Sequence, residues 1–145
     1  MDQGSPLTVQ FGQHVISDGD EITAAEAQAP LTVSWPANPN QLYTLVMVDH
    51  NGPEAPFLHS LIIDIPGNKV EQGLVDMPYL PPRPPSSGQD HEYEIFVLAQ
   101  GLGPRTGRER IRHVMHRVRH YFRLSEFSER HNLHKVGSLF FYVGH

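Results

Sequence analysis

Leu7, Val9 and Phe11 alternate with Thr8 and Gln10, the period-two pattern of a strand with one buried face. Asp18-Gly19-Asp20 is a turn signal before Glu21-Ile22-Thr23. Alternation resumes at Leu31-Thr32-Val33-Ser34-Trp35, which Pro30 opens and Pro36 closes, with Asn38-Pro39-Asn40 as the next turn. Residues 43–48 (Tyr-Thr-Leu-Val-Met-Val) are nearly all apolar, as a strand covered on both faces must be. A loop rich in Asn, Gly and Pro runs from His50 to Pro56 and leads into a second central strand at 57–65, stopped by Pro66-Gly67-Asn68. Residues 91–99 predict a third strong strand and 137–143 the last one.

The period changes late in the chain. Ile111, Val114, Met115, Val118 and Phe122 fall at helical spacing and predict a helix. A second, short helix is expected from Ser125 as N-cap, with Glu126 in its first turn, Phe127 buried and an end near Asn132. Strands first and helices last point to a mainly β sandwich carrying one or two peripheral helices near the C-terminus. No internal repeat is visible, and residues 1–145 are expected to form a single domain. Between two strands, residues 78–90 are rich in proline; the strong strand that follows favours a rigid ordered loop over a free proline-rich ligand for another domain.

Composition narrows the chemistry. With no cysteine among 145 residues, disulfides, Cys-ligated zinc, iron–sulfur clusters and thiol catalysis are all excluded. No apolar run is long enough to span a bilayer and no signal peptide is visible, so a cytoplasmic protein is expected. The net charge of −5 is uneven. Arg105 to Lys135 holds nine basic residues against three acidic ones, a local excess of +6, and the remainder carries −11. A solvated helix face accounts for that segment; weak attraction to anionic surfaces through Arg105–Lys135 is the alternative.

Of ten histidines, His113, His116 and His120 share a face of the expected helix, but neighbouring Arg117 and Arg119 would repel a cation, so they are taken as surface residues. Asp49, His59 and His91 are different. Each stands inside or at the end of an apolar strand, and Tyr93 follows His91 on the same face. A buried ionisable group costs several kcal/mol unless paired. These residues should therefore meet each other or a ligand.

With Pro30-Leu31-Thr32-Val33-Ser34-Trp35, Tyr43 through Asp49, Phe57-Leu58-His59, Tyr79-Leu80-Pro81-Pro82-Arg83-Pro84-Pro85, His91-Glu92-Tyr93 and the ending through Phe141 in this order, the chain resembles the phosphatidylethanolamine-binding protein family. The resemblance implies a β-sandwich with a small anion pocket for phosphate-like head groups. Carried over, Asp49 is the pocket acid, His59 and His91 the pocket histidines and Tyr93 the pocket tyrosine. Pro82 and Pro85 belong to a wall and Phe57 to the entrance. Two departures stand out: the family's Asp-Pro-Asp-Ala-Pro is Asp49-His50-Asn51-Gly52-Pro53, and its His-Arg-Tyr is His91-Glu92-Tyr93. The expected function is a non-enzymatic module that binds a small anion or phospholipid head group weakly and modulates a protein partner, with no cofactor and no metal. The alternative is an enzyme, a hydrolase or metal-dependent, using Asp49, His59 and His91.

Overall fold

The computed structural model describes residues 5–84, 88–103, 105–112 and 118–144. The elements are β1 (Thr8–Phe11), β2 (His14–Ile16), β3 (Asp20–Thr23), β4 (Leu31–Ser34), β5 (Leu42–Asp49), β6 (Phe57–Pro66), β7 (Leu74–Met77), β8 (His91–Gln100), α1 (Leu124–His131) and β9 (Leu133–Gly144). A three-stranded sheet in the order β2-β1-β4 packs on a six-stranded sheet in the order β3-β9-β8-β5-β6-β7. All pairings are antiparallel except β3 with β9.

The near-continuous apolar run of β5 is explained by two cores, one on each face of the large sheet. Between the sheets, Val9, Phe11, Val33 and Trp35 meet Tyr43, Leu45, Met47, Ile95, Val97 and Phe141. On the other face, Val46, Val48, Leu58, Leu61, Ile63, Phe96 and Leu98 pack under Phe122 and Phe127. All eight residues of β5 are buried accordingly.

The strands predicted from alternation are all present. β2 and β7 were not foreseen; both are short edge strands that bury one apolar residue each, Ile16 and Met77, while Val15, Leu74 and Val75 are exposed, so neither shows an apolar alternation to read. The expected helix around residues 111–122 is corrected: its described parts, Ile111, Arg112 and residues 118–122, are not helical, and 113–117, with His113 and His116, lie outside the described residues. Tertiary partners take the backbone groups that a helix would need. Ile111 and Arg112 donate their N–H groups to the Asp64 carboxylate, and Tyr121 and Phe122 donate theirs to the carbonyls of Glu54 and Pro56. Arg112 and Tyr121 also have positive φ, 65° and 58°. Val118, expected on the apolar face, is 53% exposed. α1 is the second expected helix, but its N-cap is Arg123, without a side-chain cap bond, and Ser125 lies inside the helix rather than capping it; α1 buries Phe127 and ends on Asn132 in the left-handed conformation.

β6 contains two ionisable residues, and both coincide with a slip in its pairing to β5. Val48 faces Leu58 and Met47 faces Ser60, which leaves His59 as the extra residue; a second slip lies between Tyr43–Ile65 and Leu45–Ile62, where Asp64 adopts a φ of 55°. Such bulges re-aim side chains out of the regular alternation. That is how an otherwise apolar strand accommodates a histidine and an aspartate.

Candidate functional site

Register assembles the site. Asp49, the last residue of β5, pairs with Phe57 on one side and Tyr93 on the other, so the relevant ends of β6, β5 and β8 lie side by side. His91 donates from Nδ1 to Asp49 Oδ2 at 2.7 Å, which fixes its tautomer and leaves Nε2 as the remaining ring nitrogen. The second carboxylate oxygen accepts the Asn51 N–H at 2.8 Å, so the loop after β5 turns back on its own aspartate. His59 donates from Nδ1 to the Leu80 carbonyl at 2.6 Å, while Leu80 N–H donates to the His59 carbonyl at 2.8 Å. The proline-rich segment is thereby tied to the histidine it was expected to wall.

Aromatic rings complete the cluster. His59 meets Phe57 at 5.4 Å and Tyr93 at 5.1 Å, both edge-on, and Tyr93 stacks on Phe141 at 5.7 Å. Tyr93 is buried and sits opposite Asp49 in the ladder. Burial, then the Asp49 charge, pushes its ionisation well above the ordinary phenol range, so it is a neutral donor. Burial dominates at His59 as well and holds its pKa below the ordinary value, outweighing the favourable Leu80 and Asp49 interactions. His59 is thus neutral near pH 7, with a proton on Nδ1.

The sign of the resulting pH dependence follows. Because the folded-state pKa is depressed, the unfolded chain binds the proton more readily, and the stability His59 lends is present above the ordinary value of 6.5 and is lost as pH falls through the folded value. Thermal unfolding followed from about pH 7 to about pH 5 should show this loss, reduced in a His59→Gln variant. Phosphate should lessen it, because an anion beside the imidazolium stabilises the charged form.

The structure brings Asp49, His59, His91, Tyr93 and Phe57 together. Pro82 is buried nearby with its carbonyl held by the Gln28 amide at 3.0 Å, and Pro85 lies outside the described residues. Sequence reading missed Arg119. Its guanidinium donates to the carbonyls of Leu58 at 3.0 Å, His59 at 3.4 Å and Pro78 at 2.9 Å, clamping the histidine strand to the proline-rich segment. Counted within a basic run, it gave no signal of this role. Arg119→Ala should lower stability by about 2 kcal/mol in urea unfolding, and Arg119→Lys should not restore it, since an ammonium lacks the planar fork. Tyr79 was also missed; its hydroxyl is buried without a hydrogen-bond partner among the described residues, and burial pushes its pKa up to about 12.

A different part of the molecule holds a cavity. A cavity of about 450 Å³ at the far end of β5 and β6 is lined by Leu42, Asp64, Asn68, Lys69, Arg105 and Arg110 among others. It shares no residue with the Asp49 cluster, whose side chains are packed close. Among the described residues, the trio of metal-type donors converging within 4.8 Å is His50, Glu92 and Glu94, not Asp49, His59 and His91. No helix among them is long and apolar enough to cross a membrane.

The chain is similar to a 26 kDa secreted antigen of Toxocara canis, 34% identical over 101 residues, which is 65% of this chain and 38% of the antigen. It is also similar to the rice (Oryza sativa subsp. japonica) protein MOTHER of FT and TFL1 homolog 2, 32% identical over 101 residues, 65% of this chain and 57% of that protein. The chain thus spans about two fifths to three fifths of these relatives. Among solved structures, carboxypeptidase Y inhibitor, determined in complex with its cognate proteinase, matches with a TM-score of 0.74 at 17% identity, covering 97% of this chain and 83% of that one. Phosphatidylethanolamine-binding protein from Plasmodium vivax matches at 0.71 and 13% identity, over 95% of this chain and 84% of that one. These two show the shared fold. A family model described as phosphatidylethanolamine-binding protein matches residues 2–140, and on that near-complete match the chain belongs to this family.

Proposed function

We propose that the Asp49–His59–His91–Tyr93 cluster is a binding site for a small phosphate-like anion, free or as a phospholipid head group, and that its occupancy modulates a protein partner without chemistry on the ligand. The observation that carries the reading is the 2.7 Å contact between His91 Nδ1 and Asp49: it directs one ring nitrogen to the protein and leaves the other for a ligand. His59 repeats the arrangement with the Leu80 carbonyl as its anchor. An anion beside both rings draws a proton onto each free nitrogen and makes the charge-assisted hydrogen bonds that phosphate recognition needs. The described part of the cluster contributes no Lys or Arg side chain that bonds across it, since Arg119 is spent on three carbonyls. Binding is therefore weak, about micromolar to millimolar.

A partner-directed role draws support from the fold it shares with an inhibitor solved on its proteinase, a fact about that protein. A single domain over residues 1–145 and a cytoplasmic address belong to the same proposal, although one similar protein is described as secreted. Calorimetry with inorganic phosphate and with phosphoethanolamine tests the site. The reading expects one-to-one binding of at least one of them. Absence of heat and of any thermal stabilisation with both, at millimolar ligand, would reject it.

A further inference from the structure

Beside the cluster, His50 and two carboxylates face one another on the outside of the sheet. Glu92 and Glu94 are two residues apart on β8 and so share a face, and His50 follows β5 directly. His50 Nε2 lies 2.9 Å from Glu94 Oε1, and donor atoms of all three residues lie within 4.8 Å of one another. Two backbone-anchored bonds hold the frame: His50 N–H donates to the Glu92 carbonyl at 2.8 Å, and Glu92 N–H donates to Asn51 Oδ1 at 2.6 Å.

An ion pair alone does not account for this grouping. His50 balances Glu94, while the Glu92 side chain has no hydrogen-bond or ion-pair partner among the described residues. With a neutral imidazole the trio carries two negative charges, which one divalent cation would match. We infer that His50, Glu92 and Glu94 form a binding site for a divalent transition-metal ion of the zinc type, with an open position for water.

Donor chemistry selects the ion. One imidazole nitrogen with two carboxylates suits zinc, whose bonds to such donors are about 2.0–2.2 Å. Rotation of the two glutamate side chains would be needed to bring their oxygens to these distances. Magnesium and calcium prefer all-oxygen sets of about six or more ligands and gain little here. Lys135 acts on Glu94 from the neighbouring strand and opposes a cation, which argues for moderate affinity. The Glu94 hydrogen bond raises the His50 pKa, so metal uptake must release that proton.

Equilibrium dialysis of the full chain against zinc chloride, with a magnesium arm, decides the matter. The expected result is one zinc bound per chain, no comparable magnesium, and affinity weakened about tenfold or more in both His50→Ala and Glu92→Gln. His14→Ala, an exposed histidine elsewhere, should bind as the wild type does. No zinc uptake, or uptake undiminished in the two site variants because other histidines carry it, would overturn the inference. Neither outcome bears on phosphate binding, so the two proposals fail separately.

Discussion

His91→Ala is expected to weaken phosphate binding about ten- to a hundredfold, the loss of one hydrogen bond to a charged group worth roughly 1.5–3 kcal/mol. The fold should persist, because His91 is half-buried at a strand end and its ladder bonds to β9 are made by the backbone. Some stability is lost through Asp49, whose Oδ2 gives up its His91 partner. Combining His91→Ala with His59→Gln should remove measurable binding. Calorimetry alongside urea unfolding separates the two effects: a variant that stays folded and binds phosphate at wild-type affinity would show that His91 is a structural partner of Asp49 and nothing more.

Asp64→Ala should have the largest effect on stability, a loss of about 3–5 kcal/mol. Its buried carboxylate accepts the Gln100 side-chain N–H at 2.8 Å, the Ile111 N–H at 2.8 Å and the Arg112 N–H at 3.0 Å. Gln100 is fully buried and in turn accepts from Thr44 Oγ1 at 2.6 Å and from Asp64 N–H at 2.9 Å. Truncation leaves three donors without an acceptor and detaches the chain at 111–112 from the sheet. Asp64→Asn keeps the shape and one acceptor oxygen, so it should be milder, near 2 kcal/mol by the same reasoning. Urea unfolding gives both values. Loss of under about 1 kcal/mol in Asp64→Ala would mean that solvent satisfies these donors.

Strand β6 marks the limit of what periodicity reveals. His59 was visible as an interruption of an apolar strand while Asp64 was not singled out, and the pairing slips that accommodate both depend on the register with β5, a property of two strands. That Asp49, His59 and His91 should meet each other or a ligand was legible from their places in apolar strands; that Asp49 holds His91 while His59 is anchored on Leu80 was not. The same non-local logic governs the described ends of the helix expected around 111–122, which are not helical. Its spacing was helical, yet Asp64, Glu54 and Pro56 claim its backbone donors, and tertiary hydrogen bonds override a weak local preference. Arg119 was hidden for a related reason: its partners are three carbonyls, and carbonyls leave no trace in side-chain sequence. By contrast, α1 and the long central strands were legible because each buries a continuous face of its own.

The proline-rich segment illustrates both sides. An ordered loop was expected because a strong strand follows it, and its described part is bonded through Leu80 to His59, Pro82 to Gln28 and Pro78 to Arg119. Which histidine it would hold could not be read from the sequence.

The central claim is that one small anion contacts both His59 and His91. The most direct measurement is the NMR response of their ring nitrogens to added inorganic phosphate at fixed pH. Both rings should shift toward the imidazolium position along one saturating curve with a single dissociation constant. Rings that do not respond, or that respond with unrelated midpoints, would contradict a shared anion site.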